Sequence, residues 1–96
     1  MLKDKLNKDA VQALKNKDDL RLGTLRLISA AIHNLEIEKR TKSGIGDLTD
    51  EEVIDLLRRE ARKRKEAIEL YKKGERRELA AKEEAELKVG GEYLPP

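Results

Sequence analysis

Residues 19–40, DLRLGTLRLISAAIHNLEIEKR, carry apolar side chains at helical spacing and predict one long helix. The apolar positions cover one wide face, formed by Leu20, Thr24, Leu27, Ile28, Ala31, Ile32 and Leu35. Leu22 and Ile37 lie outside that face. A helix that is apolar over so much of its circumference usually contacts several neighbours, so we expect it to be the central element of the fold.

A shorter helix is predicted before this central helix. Its apolar residues recur at helical spacing, and they are Leu2, Leu6, Ala10, Ala13 and Leu14. This first helix should end near Asn16 and Lys17, after which Asp18 is placed to cap the central helix. Residues 41–48 contain turn formers and two glycines, so we expect an exposed loop after the central helix.

The third helix has a clear start signal. Thr49 and Glu52 form the capping-box pattern, in which each side chain satisfies a free amide of the first turn. Leu48 and Val53 have the spacing of the accompanying hydrophobic staple. We expect this helix to reach Gly74, because glycine adopts the positive φ that suits a helix C-terminus.

A fourth helix is predicted from about Glu75 to Val89, with a thin apolar stripe of Leu79, Ala80 and Leu87. Gly90 and Gly91 should break this helix and leave the segment of Tyr93 and Leu94 hinged. Apart from Pro95 and Pro96 the chain has no proline, and its commonest residues are strong helix formers. The sequence therefore predicts an all-α fold, an antiparallel bundle of about four helices forming a single domain of residues 1–96.

The amino-acid composition excludes several classes of protein function. The chain has 96 residues, of which 44% are charged, with 22 Lys and Arg against 20 Asp and Glu. It has no cysteine and one histidine, so thiol chemistry and zinc or iron–sulfur sites built from Cys and His are excluded, and we expect no cofactor. No apolar run approaches the length of about 20 residues that spans a bilayer, so we expect no membrane contact and a cytoplasmic protein.

The lone histidine, His33, is a candidate site residue. His33 lies with Arg26 and Ser29 at helical spacing on the central helix and precedes Glu36 by three positions. A di-iron bundle needs two Glu and His pairs, which a chain with one histidine cannot supply. We therefore interpret His33 as part of a polar helix face.

The third helix carries a dense group of cations between residues 58 and 65. At 100° per residue, Arg58, Arg62 and Lys65 share one side of it. Cations one turn apart can follow a nucleic-acid backbone, which makes these three residues the candidate phosphate contacts. The spacing favours the alternative that surface pairs neutralise the cations, with Asp55, Glu66 and Glu69 one turn from Arg59, Arg62 and Lys65 respectively.

Arg64 differs from these cations because it falls inside the apolar stripe of the third helix. Glu60 precedes it by one turn, and burying either charge alone would be costly. We predict a Glu60–Arg64 ion pair, with a further partner on another helix as one option. The pair can act as a structural ion pair that sets helix register, which we favour, or it can bind a ligand.

The order of several segments resembles the YqeY family. The segments are residues 24–32 (TLRLISAAI), 36–39 (EIEK), 48–53 (LTDEEV), 62–68 (RKRKEAI), 79–87 (LAAKEEAEL) and 92–95 (EYLP). That family is similar to the tail region of the B subunit of the glutamine-dependent tRNA amidotransferase. The resemblance implies two helical subdomains, of which this chain resembles the N-terminal one without the C-terminal three-helix one.

The resemblance also implies a link to aminoacyl-tRNA and to carbon–nitrogen ligase activity with glutamine as the nitrogen donor. No residue of the chain forms a recognisable constellation for amide transfer, so a stand-alone enzyme is the weakest hypothesis. The first hypothesis is a non-catalytic helical module that contacts tRNA or a translation-related partner. The alternative is a protein-interaction or self-assembling bundle without RNA binding, suggested by the apolar face of the central helix.

Overall fold

The computed structural model describes residues 1–96 and contains four helices and no strand. They are α1 (Leu2–Lys15), α2 (Asp19–Ser43), α3 (Asp50–Lys73) and α4 (Arg77–Gly91). Helix α3 packs most extensively on α4, while α2 packs on α1 and α4 and touches α3 less. The all-α helical bundle predicted from the sequence is therefore confirmed.

The main core is formed by nine buried residues that come from all four helices and from the segment after α4. They are Leu6, Leu25, Ile28, Ile32, Val53, Leu56, Leu57, Val89 and Tyr93. Three of the nine lie on α2, so this helix crosses the centre of the packing, as its wide apolar face suggested.

The buried face of α2 is rotated from the predicted one. Leu20 and Leu27 were placed on that face, but they are 43% and 55% exposed. Leu22 and Leu25 are buried instead. Because α2 is apolar on both sides, periodicity could not decide which side its neighbours cover.

The predicted N-terminal caps of α2 and α3 are both present. Asp18 accepts a hydrogen bond from the backbone N–H of Arg21, and Thr49 and Glu52 form the complete capping box. Leu48 packs against the core beside this cap. The exposed segment after α2 is shorter than expected because α2 continues to Ser43 and ends at Gly44, which has a φ of +80°.

The predicted end of α3 at Gly74 is confirmed, but the positive φ expected there is not: Gly74 has a φ of −85°, and the left-handed residue is the next one, Glu75. The expectation for the two glycines of α4 was wrong. Gly90 and Gly91 do not break α4, which includes both. A Cβ added at either glycine would meet no other atom within 4 Å apart from the helix itself, and the docking of Val89 and Tyr93 into the core holds the last turn.

The C-terminal segment is anchored rather than hinged. Tyr93 is 9% exposed and donates a 2.6 Å hydrogen bond to Oδ2 of Asp9 on α1. Arg21 on α2 holds Glu92 through two hydrogen bonds of 2.9 and 3.2 Å. Leu79, which the sequence places on the apolar stripe of α4, is 41% exposed, whereas its neighbour Ala80 is buried.

Candidate functional site

The candidate phosphate contacts lie on the exposed side of α3. The side chains of Arg58, Arg62 and Lys65 are all exposed, and they extend over about 10 Å of helix at 1.5 Å per residue. Arg58 lies 3.8 Å from Asp55, which makes a weak surface pair. No carboxylate lies within 4.0 Å of Arg62 or Lys65.

None of the three neutralising pairs predicted from spacing forms, so that prediction is wrong. Asp55 pairs with Arg58 instead of Arg59, and neither Glu66 nor Glu69 pairs with a cation. In an exposed ion pair, the electrostatic attraction is nearly cancelled by the side-chain entropy that is lost when the pair forms. Correct spacing therefore does not ensure that such a pair forms. Arg62 and Lys65 thus present uncompensated charge to the solvent.

Arg59 and Lys63 lie on a different side of α3 and line a groove between α2 and α3. The groove encloses about 310 Å³, with Ala31, Leu35 and Leu56 among its lining residues. Leu35 packs at the edge of the core and Leu56 within it, so the floor of the groove is apolar. We call this feature the α2–α3 groove.

Arg64 lies at the junction of α3 and α4, inside the protein. Its Nη1 is 3.5 Å from Glu60, and its Nε is 3.8 Å from Glu83 on α4. The side chain is only 13% exposed, and Nε is buried without a hydrogen-bond partner. The structure thus brings the two residues of the predicted pair together and adds a carboxylate from another helix.

A second carboxylate of α4 belongs to the same junction. Glu86 is buried, and together with Glu60 and Arg64 it lines a small cavity of about 10 Å³. Sequence reasoning missed Glu83 and Glu86, although both lie on the α4 side that the Leu79 stripe marks, at spacings of four and seven residues. Arg64 therefore contacts two carboxylates, those of Glu60 and Glu83, and shares the wall of the cavity with a third, that of Glu86.

Four further contacts between distant residues hold the bundle in register. Lys3 contacts Glu36 at 2.6 Å, and Lys39 contacts Glu52 at 2.7 Å. The other two are the Arg21–Glu92 and Tyr93–Asp9 contacts, and the hydrogen bond from Arg21 to Glu92 raises the pKa of Arg21. No local pattern signals such pairs, because their members are separated by between 13 and 84 residues.

The remaining polar residues do not converge on a reactive centre. His33 and Arg26 are exposed, and Ser29 is half-buried. No group of three or more His, Asp or Glu side chains is arranged to hold a metal ion. None of the four helices is sufficiently long and apolar to cross a membrane.

Comparisons of the sequence with known proteins show its family. The family model described as Yqey-like protein matches residues 3–96. The chain is 36% identical over 89 residues to Altered inheritance of mitochondria protein 41, mitochondrial, of Lachancea thermotolerans, covering 93% of this chain and 46% of the relative. The protein of the same name from Vanderwaltozyma polyspora is 39% identical over 90 residues, covering 93% of this chain and 46% of the relative.

A third relative is covered more completely. An uncharacterized protein of Schizosaccharomyces pombe is 32% identical over 90 residues, which covers 94% of this chain and 69% of that protein. The chain spans about half the length of the two relatives named for mitochondria. With a family model that matches nearly the whole chain, this protein belongs to the YqeY-like family.

Proposed function

We propose that the chain is a non-catalytic helical module that contacts tRNA, or a translation-related partner, through Arg58, Arg62 and Lys65 on α3. The observation that carries this proposal is the exposure of Arg62 and Lys65 without a carboxylate partner. Unpaired cations one turn apart release counterions when they meet a phosphate backbone. The link to tRNA-dependent amide transfer follows from the family resemblance.

The recognition in this proposal is of backbone and shape rather than of bases. The chain has no Phe or Trp, and Tyr93 is buried with its hydroxyl bonded to Asp9. Base stacking on aromatic side chains is a main source of single-stranded RNA recognition, and the one aromatic residue of α3, the half-buried Tyr71, cannot form a platform for successive bases by itself. Phosphate contacts should therefore dominate, and binding should depend strongly on salt.

A salt titration tests the proposal. About three phosphate contacts predict a slope of about −2 to −3 for the logarithm of the tRNA association constant against the logarithm of salt concentration. The triple variant Arg58→Gln, Arg62→Gln, Lys65→Gln should lose most of this binding. The matched control is Lys8→Gln, Lys15→Gln, Lys88→Gln, which removes three exposed cations without carboxylate partners from other surfaces. Equal binding by both variants contradicts the proposal.

The proposal assigns no chemical step to the chain itself. The family resemblance implies carbon–nitrogen ligase activity with glutamine as donor, and we place that chemistry in a partner. Incubating the purified chain with glutamine and aminoacyl-tRNA tests this assignment. Release of ammonia or amidation of the aminoacyl group by the chain alone would overturn it.

A second candidate function is a protein-interaction or self-assembling bundle that does not bind RNA. The exposed Leu20 and Leu27, seven residues apart on one side of α2, favour it, since exposed apolar surface is typical of interaction sites. Sedimentation equilibrium distinguishes self-assembly from a strict monomer. If the chain sediments as a monomer and its tRNA affinity follows the Arg58, Arg62 and Lys65 substitutions, the first function is retained.

The location of the protein is also a proposal. We propose a cytoplasmic protein, and the names of two relatives suggest mitochondria as the alternative. Fractionation of the source cells with an antibody to the protein separates the two compartments. Recovery in the organelle fraction of a eukaryotic source would replace the cytoplasmic assignment.

A further inference from the structure

The α2–α3 groove has an apolar floor and a charged wall, and the proposed phosphate contacts do not use it. Ala31, Leu35 and Leu56 line the groove, and Arg59 and Lys63 stand on its α3 side. Leu27 precedes Ala31 by one helical turn and is 55% exposed, so the apolar surface continues beyond the groove along α2.

The charges of the groove do not cancel. Glu38 is held by Lys42 at 3.0 Å, and Glu60 is held by Arg64 at 3.5 Å. Arg59 has no carboxylate within 4.0 Å, and Lys63 has only Glu60 at 3.9 Å, which already serves Arg64. The uncompensated charge along this groove is therefore positive.

We propose that the α2–α3 groove is the docking site for an acidic amphipathic helix of a protein partner. Apolar side chains of the partner, at positions i, i+4 and i+7, would cover Leu27, Ala31 and Leu35. Carboxylates on the flank of the same helix would pair with Arg59 and Lys63. A helix suits this site better than RNA because a phosphate backbone gains nothing from an apolar floor.

The groove should bind acidic helices in preference to basic ones. Carboxylates steer the partner towards Arg59 and Lys63, so binding should weaken as salt screens the charges. A helix with lysines on its flank should be repelled by the same wall. The apolar contacts by themselves should give only weak binding, because the groove is shallow and lies between two helices.

The experiment uses two synthetic helical peptides of about 18 residues, or five turns, with the same leucine stripe. One peptide carries Glu on both flanks, and the other carries Lys. The whole chain is titrated with each peptide, while amide chemical shifts follow residues 27–38 and 56–63. We expect the Glu peptide to bind about tenfold more tightly and to move the amide signals of Ala31, Leu35 and Leu56.

Two double variants separate the groove from the proposed RNA surface. Arg59→Glu, Lys63→Glu should weaken binding of the Glu peptide about tenfold and leave tRNA binding largely unchanged. Arg62→Glu, Lys65→Glu changes the net charge equally and should do the reverse. Circular dichroism confirms that both variants stay folded. Because the two surfaces use different cations, failure of one proposal leaves the other testable.

Several results would overturn the groove proposal. Absence of peptide binding, equal binding of the Glu and Lys peptides, or equal effects of both double variants on peptide binding would each do so. Loss of tRNA binding in the Arg59 and Lys63 variant would assign the groove to RNA. A concentration-dependent dimer that this variant abolishes would make a second copy of the chain the occupant.

Discussion

The hydroxyl of Tyr93 donates a 2.6 Å hydrogen bond to Oδ2 of Asp9, which joins residues 84 positions apart. The Tyr93 ring belongs to the main core, and Nζ of Lys5 lies 5.7 Å from its centre. Burial and then the hydrogen bond to Asp9 raise the pKa of Tyr93 well above its ordinary value of 10.0. The segment after α4 is therefore fixed to α1 by apolar packing and by a charge-assisted hydrogen bond.

Replacing Tyr93 with Phe removes this hydrogen bond and keeps the packed ring. We expect the free energy of unfolding of Tyr93→Phe to fall by about 1 to 2 kcal/mol, because a hydrogen bond to a charged acceptor is lost and Asp9 stays partly buried. Urea denaturation monitored by circular dichroism measures the change. Tyr71→Phe is the control, since the Tyr71 hydroxyl makes no hydrogen bond and its loss should change stability little. Equal stabilities of the two variants would refute the role of the Asp9 contact.

The raised pKa of Tyr93 also predicts alkaline sensitivity. Above pH 10.0 the unfolded chain loses the phenolic proton while the folded chain keeps it. The unfolded state then binds fewer protons than the folded state, so stability falls as pH rises, at up to about 1.4 kcal/mol per pH unit. Unfolding measurements between about pH 8 and about pH 11 should show this loss in the wild type. If Tyr93→Phe shows the same slope, Tyr93 is not its source.

The sequence predicted the elements well because local signals govern helix starts. Asp18, Thr49 and Glu52 act through amides three residues away, so their pattern is visible in the chain itself. The choice of buried face on α2 was not predictable in this way. Leu20 and Leu27 match the helical period as well as Leu22 and Leu25 do, and only the positions of α1 and α4 decide between them.

In the candidate sites too, contacts within one helix could be predicted from the sequence, whereas contacts between helices could not. Glu60 and Arg64 lie one turn apart, so their proximity could be expected from spacing, whereas the Glu83 contact depends on how α4 docks. The cations of α3 could be placed on faces from the sequence. The sequence could not predict which of these cations stay unpaired. An exposed ion pair is only about 0.2 to 1 kcal/mol more stable than the two separate, hydrated side chains.

Lys17 and Glu75 have the left-handed φ values of +57° and +58° at the ends of α1 and α3. Each follows its helix in a Schellman motif, closed by Asp18 N–H to Ala13 and by Arg76 N–H to Tyr71. A residue other than glycine loses about 1 to 2 kcal/mol of stability at this φ, and a glycine at the same position avoids that strain. Glycine also loses more conformational entropy on folding, which offsets part of the stability gained by the substitution. We expect Lys17→Gly and Glu75→Gly each to stabilise the chain by about 0.5 to 1 kcal/mol.

Thermal denaturation measures these two gains, and a glycine in a helix interior provides the control. Lys8→Gly replaces an exposed residue within α1 and should destabilise by about 1 kcal/mol. Opposite signs for Lys17→Gly and Lys8→Gly separate the effect of backbone conformation from the loss of a lysine side chain. A loss of stability in both variants would show that Lys17 is not strained.

Arg64 should stabilise the junction of α3 and α4 through charge. Arg64→Met keeps much of the aliphatic packing but leaves Glu60 and Glu83 without their shared cation. We expect a loss of about 1 to 3 kcal/mol, less than for a fully buried pair because Glu60 and Glu83 are partly exposed. Lys63→Met is the control and should cost less than about 0.5 kcal/mol.

A double-mutant cycle with Glu83→Gln tests whether the Arg64 effect is a pairwise interaction. A coupling of about 0.5 to 1 kcal/mol is expected, because the 3.8 Å contact is long for a direct hydrogen bond. Zero coupling, together with an unchanged stability of Arg64→Met, would remove the structural role of the ion pair. The ligand-binding interpretation of Glu60 and Arg64 would then be the one to pursue.

Glu52 connects the start of α3 to α2 and should make the protein sensitive to acid. Its carboxylate accepts a 2.7 Å hydrogen bond from Lys39 and a 3.0 Å hydrogen bond from the backbone N–H of Thr49. Lys39 first and then Thr49 lower the pKa of Glu52 below its ordinary value of 4.5. The folded state thus favours the charged form, so this stabilisation is complete above pH 4.5 and is lost as pH falls through the lower, folded pKa.

Glu52→Gln removes the charge and can keep the cap, because the amide oxygen still accepts from Thr49. The stability difference between wild type and variant should therefore shrink as pH falls from about 6 to about 3. Urea denaturation at several pH values measures this difference, and Glu51→Gln is the control, since Glu51 lies in the same first turn of α3 but pairs with no cation. A difference for Glu52→Gln that does not change with pH would mean that the Lys39 contact contributes nothing through the charge of Glu52.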